Sequence, residues 1–378
     1  MLEMTLTGAQ VLGPAGLEPR ELALSSGQIT APRGRRVDLS GYMILPGIID
    51  MHGDGFERHL APRRGAMKDM SAGMIASEAE LAANGITTGV MAQFYSWEGG
   101  LRGPEFADGV FAAMNAVRGE VVTDLVPQLR FETHMLDHYD AVEAMVMRHG
   151  IGYVVFNDHL PHERLARGRT PARLTGTALK SGRSPEALLA LLQDMHRRRG
   201  DVPAALDGLA ARLAARGVRL GSHDENTAEH RAIWAARGVT LSEFPETAEA
   251  AQAARDRGDG VILGSPNVVR GGSHKGNASA ADLVAMGLCD ALASDYHYPS
   301  LRRAAFSLVD AGVLDLSAAW ALLSSGPARL LGFVDRGTLD PGKRADFVVL
   351  EEKSRRLCMT VAGGRISYLS GNLAERLM

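Results

Sequence analysis

Histidine and carboxylate side chains recur in this chain directly after short apolar runs. The run Ile44–Ile49 is followed by His52 and Asp54. Because residues i and i+2 of an extended chain lie on the same face, this imidazole and this carboxylate can converge on one point, as ligands of a divalent cation do. Taken alone, the pair is equally compatible with a hydrogen-bonded histidine beside a solvated aspartate at a turn.

Four later apolar runs end at the same kinds of side chain. They lead to Glu132 and His134, to Asp158 and His159, to His223, Asp224 and Glu225, and to Asp295, Tyr296 and His297. The chain has only 12 histidines, so this concentration is unlike a random scatter. So many poorly solvated polar groups at one place would be costly unless something bound them. A divalent cation would do so, and mixed nitrogen and oxygen ligation suits zinc or manganese. Each group alone has a simpler interpretation, such as Glu132 paired with Arg130.

The middle of the chain alternates strand-like runs with helical segments rich in Ala, Leu, Glu and Arg. Helix signals separate the runs, such as Ser184 before Pro185 and Gly238 after Arg237. This alternation implies a parallel sheet, and its count favours a closed (β/α)₈ barrel over residues 44–336 rather than an open doubly wound sheet. The predicted strands are Ile44–Ile49, Ile86–Gln93, Leu125–Glu132, Tyr153–Asn157, Arg219–Ser222, Thr240–Phe244, Gly260–Gly264 and Ala291–Ser294.

Both ends of the chain carry a different pattern, made of short strand-like segments broken by Gly, Pro and Ser. Examples are Met4–Thr7 near the start and Phe347–Leu350 near the end. Two such sets that flank an α/β middle predict one small β-sandwich domain built from residues 1–43 and 337–378. In the barrel, the carboxyl ends of all strands would meet at one mouth, where the histidine and carboxylate groups would gather.

Composition excludes several classes of function. The 378 residues carry a net charge of −3, so charge gives no reason to expect nucleic-acid or membrane binding. The two cysteines, Cys289 and Cys358, form no motif, which argues against a disulfide scaffold or a cysteine zinc site and suits a cytoplasmic enzyme. The N-terminus lacks the pattern of a signal peptide, and no apolar run is long enough to cross a bilayer. A homo-oligomer is compatible with all of this.

Motifs spread over nearly the whole chain resemble the amidohydrolase superfamily, and within it the diphosphatases of phosphonate breakdown. That superfamily shows His-x-His or His-x-Asp after the first strand, a carboxylate in mid-barrel, two later histidines and a final Asp. The matching segments are LPGIIDMHGD (45–54), NGITT (84–88), SHDENT (222–227), EFPET (243–247), GSPNVVRGGSHKGN (264–277), SDYHYPS (294–300) and GTLDPGKRADFVVL (337–350).

The resemblance implies one or two divalent ions, with Glu132 as the bridge if there are two. It also implies that Asp295 takes a proton from the attacking water and passes it to the leaving group. Two features depart from the family: its better-known members carry Thr and Asn where this chain has Gly53 and Gly55, and the family places the two later histidines on strands five and six. The implied ligands are His52, Asp54, Glu132, His159, His223 and Asp295.

A glycine-rich basic segment, residues 268–277, supplies Arg270, His274 and Lys275. Because it follows a predicted barrel strand, we expect it to cradle substrate oxyanions, with Arg63 as a weaker contributor; an ordinary basic surface loop is the alternative. The predicted function is metal-dependent hydrolysis of a phosphoanhydride on a phosphonylated ribose triphosphate, a small phosphorylated substrate, with release of diphosphate. Hydrolysis of a cyclic amide, imide or N-acyl substrate would need no such cradle. A non-enzymatic binding protein is the third hypothesis.

Overall fold

Strands from both ends of the chain form two small sheets, in a computed structural model that describes residues 2–61, 69–271 and 278–377. One sheet has the strand order β5-β4-β1-β6, and the other has the order β18-β17-β16-β7-β2-β3. Apolar residues of both sheets, among them Leu6, Leu24 and Phe347, share one buried core, which confirms the predicted β-sandwich. The strands are β1 (Met4–Thr7), β2 (Gln10–Gly13), β3 (Gly16–Pro19), β4 (Leu22–Ser25), β5 (Gln28–Thr30), β6 (Arg35–Asp38), β7 (Tyr42–Pro46), β16 (Phe347–Glu351), β17 (Leu357–Ala362) and β18 (Arg365–Leu369).

The predicted strand Ile44–Ile49 is wrong as a single element, because the apolar run divides at Gly47. Its first half belongs to β7, which pairs antiparallel with β16, and its second half begins the barrel. Pro46 has no N–H to continue a ladder, and a Cβ on Gly47 would overlap the side chain of Thr87. The break is hidden in the sequence because both halves are buried. The division into domains 1–43 with 337–378 and 44–336 stays a prediction.

Eight parallel strands follow one another in chain order and form the barrel. The first and last strands meet through a parallel bridge between Gly53 and Asp295. At this seam the backbone N–H of Asp295 donates to the carbonyl of His52 at 2.9 Å, and the N–H of Asp54 donates to the carbonyl of Asp295 at 3.0 Å. The predicted (β/α)₈ barrel is therefore confirmed. Its strands are β8 (Ile48–Gly53), β9 (Ile86–Tyr95), β10 (Asp124–Glu132), β11 (Tyr153–Asn157), β12 (Arg219–His223), β13 (Leu241–Glu243), β14 (Gly260–Gly264) and β15 (Ala291–Ala293).

Helices connect the barrel strands and pack on them through one large apolar cluster. The Ser184 hydroxyl accepts a hydrogen bond from the N–H of Ala187, so α7 begins where the sequence predicts. Among the described helices, none combines the length and apolar character of a bilayer-spanning segment. The helices are α1 (Glu57–Leu60), α2 (Met70–Ala83), α3 (Pro104–Val117), α4 (Tyr139–His149), α5 (His162–Ala166), α6 (Leu174–Ser181), α7 (Pro185–Arg197), α8 (Val202–Ala215), α9 (Ala228–Ala235), α10 (Ala248–Asp256), α11 (Ser265–Arg270), α12 (Ala280–Ala285), α13 (Ser300–Asp310), α14 (Leu316–Ala321), α15 (Ser325–Leu331) and α16 (Leu373–Leu377).

Candidate active site

His52, Asp54 and Asp295 meet at the seam of the barrel. One nitrogen or oxygen atom from each side chain lies within 4.8 Å of one from each of the others. His52 is fully buried, and its Nδ1 donates to Oε2 of Glu243 at 2.8 Å. The Nε2 lone pair is thus left without a hydrogen-bond partner among the described residues. A buried lone pair beside two carboxylates suits a divalent cation, so the residues present fit the predicted metal.

Glu243 fixes His52 from the end of β13, and sequence reasoning missed it. Its carboxylate accepts hydrogen bonds from the Tyr153 hydroxyl at 2.5 Å and from Nε2 of Gln128 at 2.7 Å. Burial alone would raise the pKa of Glu243, but the His52 and His223 imidazoles and the hydrogen bond from Tyr153 hold it below its ordinary value. Glu243 therefore stays ionised and keeps the Nδ1 proton on His52. The signal was its place at the end of the sixth barrel strand, where superfamily members carry a histidine.

Residues at the ends of three barrel strands, β12, β13 and β15, adopt the left-handed backbone region, which is rare for non-glycine residues. Asp224, Phe244 and Asp295 have φ angles of 59°, 54° and 54°. Behind the last of them, the buried carboxylate of Asp50 accepts hydrogen bonds from the N–H and the hydroxyl of Ser294 at 2.9 and 2.5 Å.

Burial, and after it the charge of Asp54, raises the pKa of Asp295 to about 6. Asp295 is accordingly a carboxylate that can take up and release a proton near neutrality.

Glu132 is paired with His159 in the structure. Its buried carboxylate accepts hydrogen bonds from Nδ1 of His159 at 2.5 Å and from the N–H of the same residue at 3.1 Å. Burial lowers the pKa of His159, but the charge of Glu132 and the hydrogen bonds to Asp224 and Glu132 together outweigh that effect and raise it to about 9. The groups of described residues that could hold a cation include His159 with His223 and Asp224, but not Glu132. The predicted bridging role of Glu132 stays a prediction.

Arg130 occupies the centre of the mouth, beside candidate metal ligands. One of its amino groups donates to Nε2 of His223 at 3.0 Å, and the other lies 3.6 Å from Oδ2 of Asp54. Its guanidinium carbon lies 3.8 Å from the ring centre of Phe94. Burial lowers the pKa of His223, so the neutral ring can accept this bond. The interpretation of Arg130 as the partner of Glu132 is not what the structure shows; its position two residues before Glu132 on β10 was the only sequence signal.

The histidines lie one strand earlier than in the superfamily pattern. His159 follows β11, the fourth barrel strand, and His223 ends β12, the fifth. Between Glu132 and His223, where every residue is described, β11 is the one intervening strand. The sequence-based count is therefore confirmed. The sixth strand, β13, ends at Glu243 and carries no histidine.

These side chains open into a cavity of about 310 Å³ at the carboxyl ends of the strands. Its wall combines acidic side chains, basic side chains and two phenylalanine rings. Arg270 is exposed and donates to the hydroxyl of Tyr296 at 2.7 Å, and Tyr296 lies on the cavity wall. The predicted contributors Arg63, His274 and Lys275 lie outside the described residues. The polar and aromatic wall residues are Asp54, Phe94, Arg102, Arg130, His159, His223, Asp224, Phe244, Asn267, Asp295 and Tyr296.

Tyr298 packs against both glycines that depart from the family pattern. A Cβ on Gly53 would lie 2.7 Å from Cε1 of Tyr298 and 2.8 Å from Oδ2 of Asp50. A Cβ on Gly55 would lie 3.2 Å from Cε2 of the same ring. The ring is fully buried, so it cannot move aside cheaply. The aromatic side chain therefore fills the space that a side chain at position 53 would need.

The barrel, its terminal sandwich and the His-x-Asp and final Asp at one seam define a metal-dependent hydrolase of the amidohydrolase superfamily, to which the chain belongs. A profile of the amidohydrolase family matches residues 201–367. The chain is 31% identical over 374 residues to the α-D-ribose 1-methylphosphonate 5-triphosphate diphosphatase of Escherichia coli strain K12. The alignment covers 94% of this chain and 95% of that protein.

Solved structures share the fold at lower identity. N-acetylglucosamine-6-phosphate deacetylase from Pasteurella multocida is 10% identical, with a TM-score of 0.63 over 97% of this chain and 99% of that chain. N-acyl-D-glutamate deacylase from Bordetella bronchiseptica, complexed with zinc and a phosphonate inhibitor, is 16% identical, with a TM-score of 0.61 over 97% of this chain and 96% of that chain. These similarities support the architecture alone.

Proposed function

We propose that this enzyme hydrolyses the phosphoanhydride of α-D-ribose 1-methylphosphonate 5-triphosphate, giving the 5-phosphate and diphosphate, in phosphonate catabolism. The identity to the Escherichia coli diphosphatase supports this substrate. The observation that carries the proposal is the guanidinium of Arg130 in the mouth, between His223 and Asp54. A buried cation next to a metal site suits a substrate with several negative charges.

We propose His52, Asp54 and Asp295 as the first metal site, and His159, His223 and Asp224 as the second when two ions bind. Because a neutral imidazole has one lone pair, binding of an ion to His223 would replace its hydrogen bond from Arg130. Zinc suits these nitrogen and oxygen donors best, and manganese is the alternative. When bound, a divalent cation supplies Lewis acidity that lowers the pKa of a water and polarises a phosphoryl oxygen. A cation at Nε2 of His159 would have to displace a proton, because the pKa of that ring is about 9.

Asp295 is the proposed proton carrier. In the metal-free site its pKa is raised to about 6, and a bound cation would lower that pKa because an opposite charge favours the ionised form. The ionised carboxylate accepts a proton from the attacking water. The same oxygen then donates that proton to the bridging oxygen as the diphosphate leaves. The left-handed backbone of Asp295 and its two hydrogen bonds across the seam hold the carboxylate in place for both transfers.

Arginine side chains are proposed to hold the phosphoryl groups. The guanidinium carbons of Arg130 and Arg102 lie 3.8 and 4.1 Å from the ring centre of Phe94, and both side chains line the cavity. Guanidinium forks match phosphoryl oxygens and stabilise the charge that develops on a leaving diphosphate. Arg270 approaches the same cavity through Tyr296, and His274, Lys275 and Arg63 are proposed to add to this cradle.

The second candidate is hydrolysis of a cyclic amide, imide or N-acyl substrate. It would use the same metal groups, and the apolar part of the cavity wall, with Phe244, Pro245 and Leu263, suits an uncharged substrate. Phosphorus NMR of zinc- or manganese-loaded enzyme with the ribose triphosphate separates the two hypotheses. We expect stoichiometric diphosphate. Cleavage of a dihydro-pyrimidine or N-acyl amino acid without any diphosphate would overturn the proposal.

A further inference from the structure

A second group of histidines lies behind the mouth, among residues that the proposed hydrolysis does not use. His134 follows β10, Asp158 and His162 follow β11, and His196 lies on α7. Nε2 of His134 lies 3.2 Å from Oδ2 of Asp158. Nε2 of His162 lies 3.1 Å from Nε2 of His134 and 3.2 Å from both carboxylate oxygens of Asp158. Three potential ligand atoms from two loops therefore converge on one point.

Hydrogen bonding alone does not explain this convergence. If both imidazoles donate to Asp158, two N–H groups face each other across 3.1 Å. If either ring presents its lone pair instead, that lone pair faces a carboxylate oxygen at 3.2 Å. Each arrangement leaves one unfavourable contact, because a neutral imidazole has one donor and one acceptor. A cation between the three atoms would be attracted by both lone pairs and by the carboxylate.

The spacing is that of a ligand shell. Bonds of about 2.0–2.1 Å from zinc to nitrogen or oxygen place tetrahedral ligand atoms about 3.3 Å apart. The separations among His134, His162 and Asp158 are 3.1–3.2 Å. The cluster is also partly open to solvent, since the side chains of Asp158 and His162 are 37% and 31% exposed, which gives an ion a route in.

A neighbouring contact orients the ring of His162. Nδ1 of His162 lies 2.9 Å from Nδ1 of His196. If the Nδ1 of His162 carries the proton and donates to His196, the Nε2 of His162 presents its lone pair to the cluster. Outer hydrogen bonds orient metal-binding histidines in the same way. His134 is buried, and its Nδ1 has no hydrogen-bond partner among the described residues. The polar neighbours of this ring thus lie at its Nε2.

We propose that His134, His162 and Asp158 bind a divalent cation of the zinc type, separate from the catalytic ions, with water as the fourth ligand. The ion joins the loop after β10 to the loop after β11, and through His196 it braces α7. Asp158 directly precedes His159, so the ion stabilises the wall of the mouth at that residue. It takes no part in the hydrolysis, and the proposal stands whichever substrate the enzyme has.

The test is the zinc content of full-length enzyme after equilibration with zinc and removal of excess ion, measured by plasma mass spectrometry. His134→Gln/His162→Gln should bind one zinc ion fewer per chain than the wild type. His149→Gln is the matched control: that histidine is equally buried and paired with an aspartate, at 2.9 Å from Asp108, but belongs to no candidate metal group among the described residues. Equal zinc content in the double variant and the control would overturn the proposal.

A second measurement covers a double variant that does not fold. His162→Gln changes only a partly exposed ring, and competition with a zinc chelator should show one site weakened at least ~10-fold. The variant Asp54→Asn/Asp295→Asn, in which the catalytic group is disabled, should retain an ion that is lost when His162→Gln is added. Unchanged affinity in His162→Gln would show that the cluster is a hydrogen-bonded one.

Discussion

Nδ1 of His52 on the first barrel strand donates to Oε2 of Glu243 on the sixth at 2.8 Å, so a carboxylate across the barrel sets the tautomer of the candidate ligand. Glu243→Gln keeps the shape but removes the charge that holds the Nδ1 proton. We expect metal affinity to fall about 10- to 100-fold, as when other outer partners of metal-binding histidines are changed. Tyr153→Phe removes one hydrogen bond to Glu243 and leaves its charge, so its loss should be smaller. Wild-type affinity in Glu243→Gln, by zinc competition, would contradict this role.

Arg130 offers the clearest separation of the two candidate functions. Arg130→Met should lower kcat/KM for the ribose triphosphate by about 10- to 150-fold, because a charge-assisted contact contributes about 1.5–3 kcal/mol. Arg130→Lys keeps the charge but not the fork, so its loss should lie in between. Arg198→Met is the control: Arg198 binds Asp137 through two 2.7 Å hydrogen bonds and does not line the cavity. An unchanged rate in Arg130→Met, with the fold intact by circular dichroism, would favour an uncharged substrate.

Glu57, on the short helix after the first barrel strand, predicts a pH dependence of stability. Burial, and after it the charge of Asp54, raises its pKa from 4.5 to about 7. Because the folded state holds this proton more tightly than the unfolded state, Glu57 lowers stability progressively as pH rises from about 4.5 through 7. In metal-free enzyme at pH 8, the free energy of unfolding of Glu57→Gln, measured by urea denaturation, should therefore exceed that of the wild type by on the order of 1–3 kcal/mol. At pH 4.5 the two should differ little.

The control for this pH series is Glu163→Gln, which changes a carboxylate whose side chain is 86% exposed. Its stability should follow the wild type at every pH. A Glu57→Gln advantage that is the same at pH 4.5 and pH 8 would mean that packing, rather than the charge of Glu57, is responsible.

Gly53 and Tyr298 should be energetically coupled. Gly53→Ala places a methyl group against the buried ring and against Asp50, and overpacking of this kind typically lowers the free energy of unfolding by about 1–3 kcal/mol. Tyr298→Ala costs stability alone but should relieve part of the clash. A double-mutant cycle by urea denaturation should then show a favourable coupling of at least ~0.5 kcal/mol. Additive effects would mean that the ring does not exclude larger residues from position 53.

Much of the barrel could be predicted because parallel strands buried on both faces appear as short apolar runs. The structure brings His52, Asp54 and Asp295 together for the same reason: they end the first and last runs, and closure of the barrel makes those strands neighbours. The break at Gly47 could not be predicted, since hydrophobicity does not change where the chain passes from one buried sheet to another.

Contacts between side chains on opposite sides of the barrel could not be predicted from the sequence. Glu243 lies 191 residues from His52, and its side chain reaches His52 through a register that only the assembled strands define. Arg130 was visible as a charge on β10, but a sequence does not tell which of several mouth groups an arginine will contact. The pairing of Glu132 with His159 was also missed. A buried carboxylate can bind either a metal or an imidazole, and the sequence does not distinguish the two.

We expect the seam of the barrel to couple the proposed catalysis to local opening of the fold. β15 has three residues, and its end is joined to β8 by the bridge at Gly53 and Asp295 and by the hydrogen bonds from Ser294 to Asp50. The amides that close this seam belong to Asp54 and Asp295 themselves. A transient separation of the first and last strands would move the two carboxylates apart while the other barrel strands stay paired. Loss of turnover in dilute denaturant would then report the opening of one pair of strands, in a molecule whose helices and sandwich are still folded.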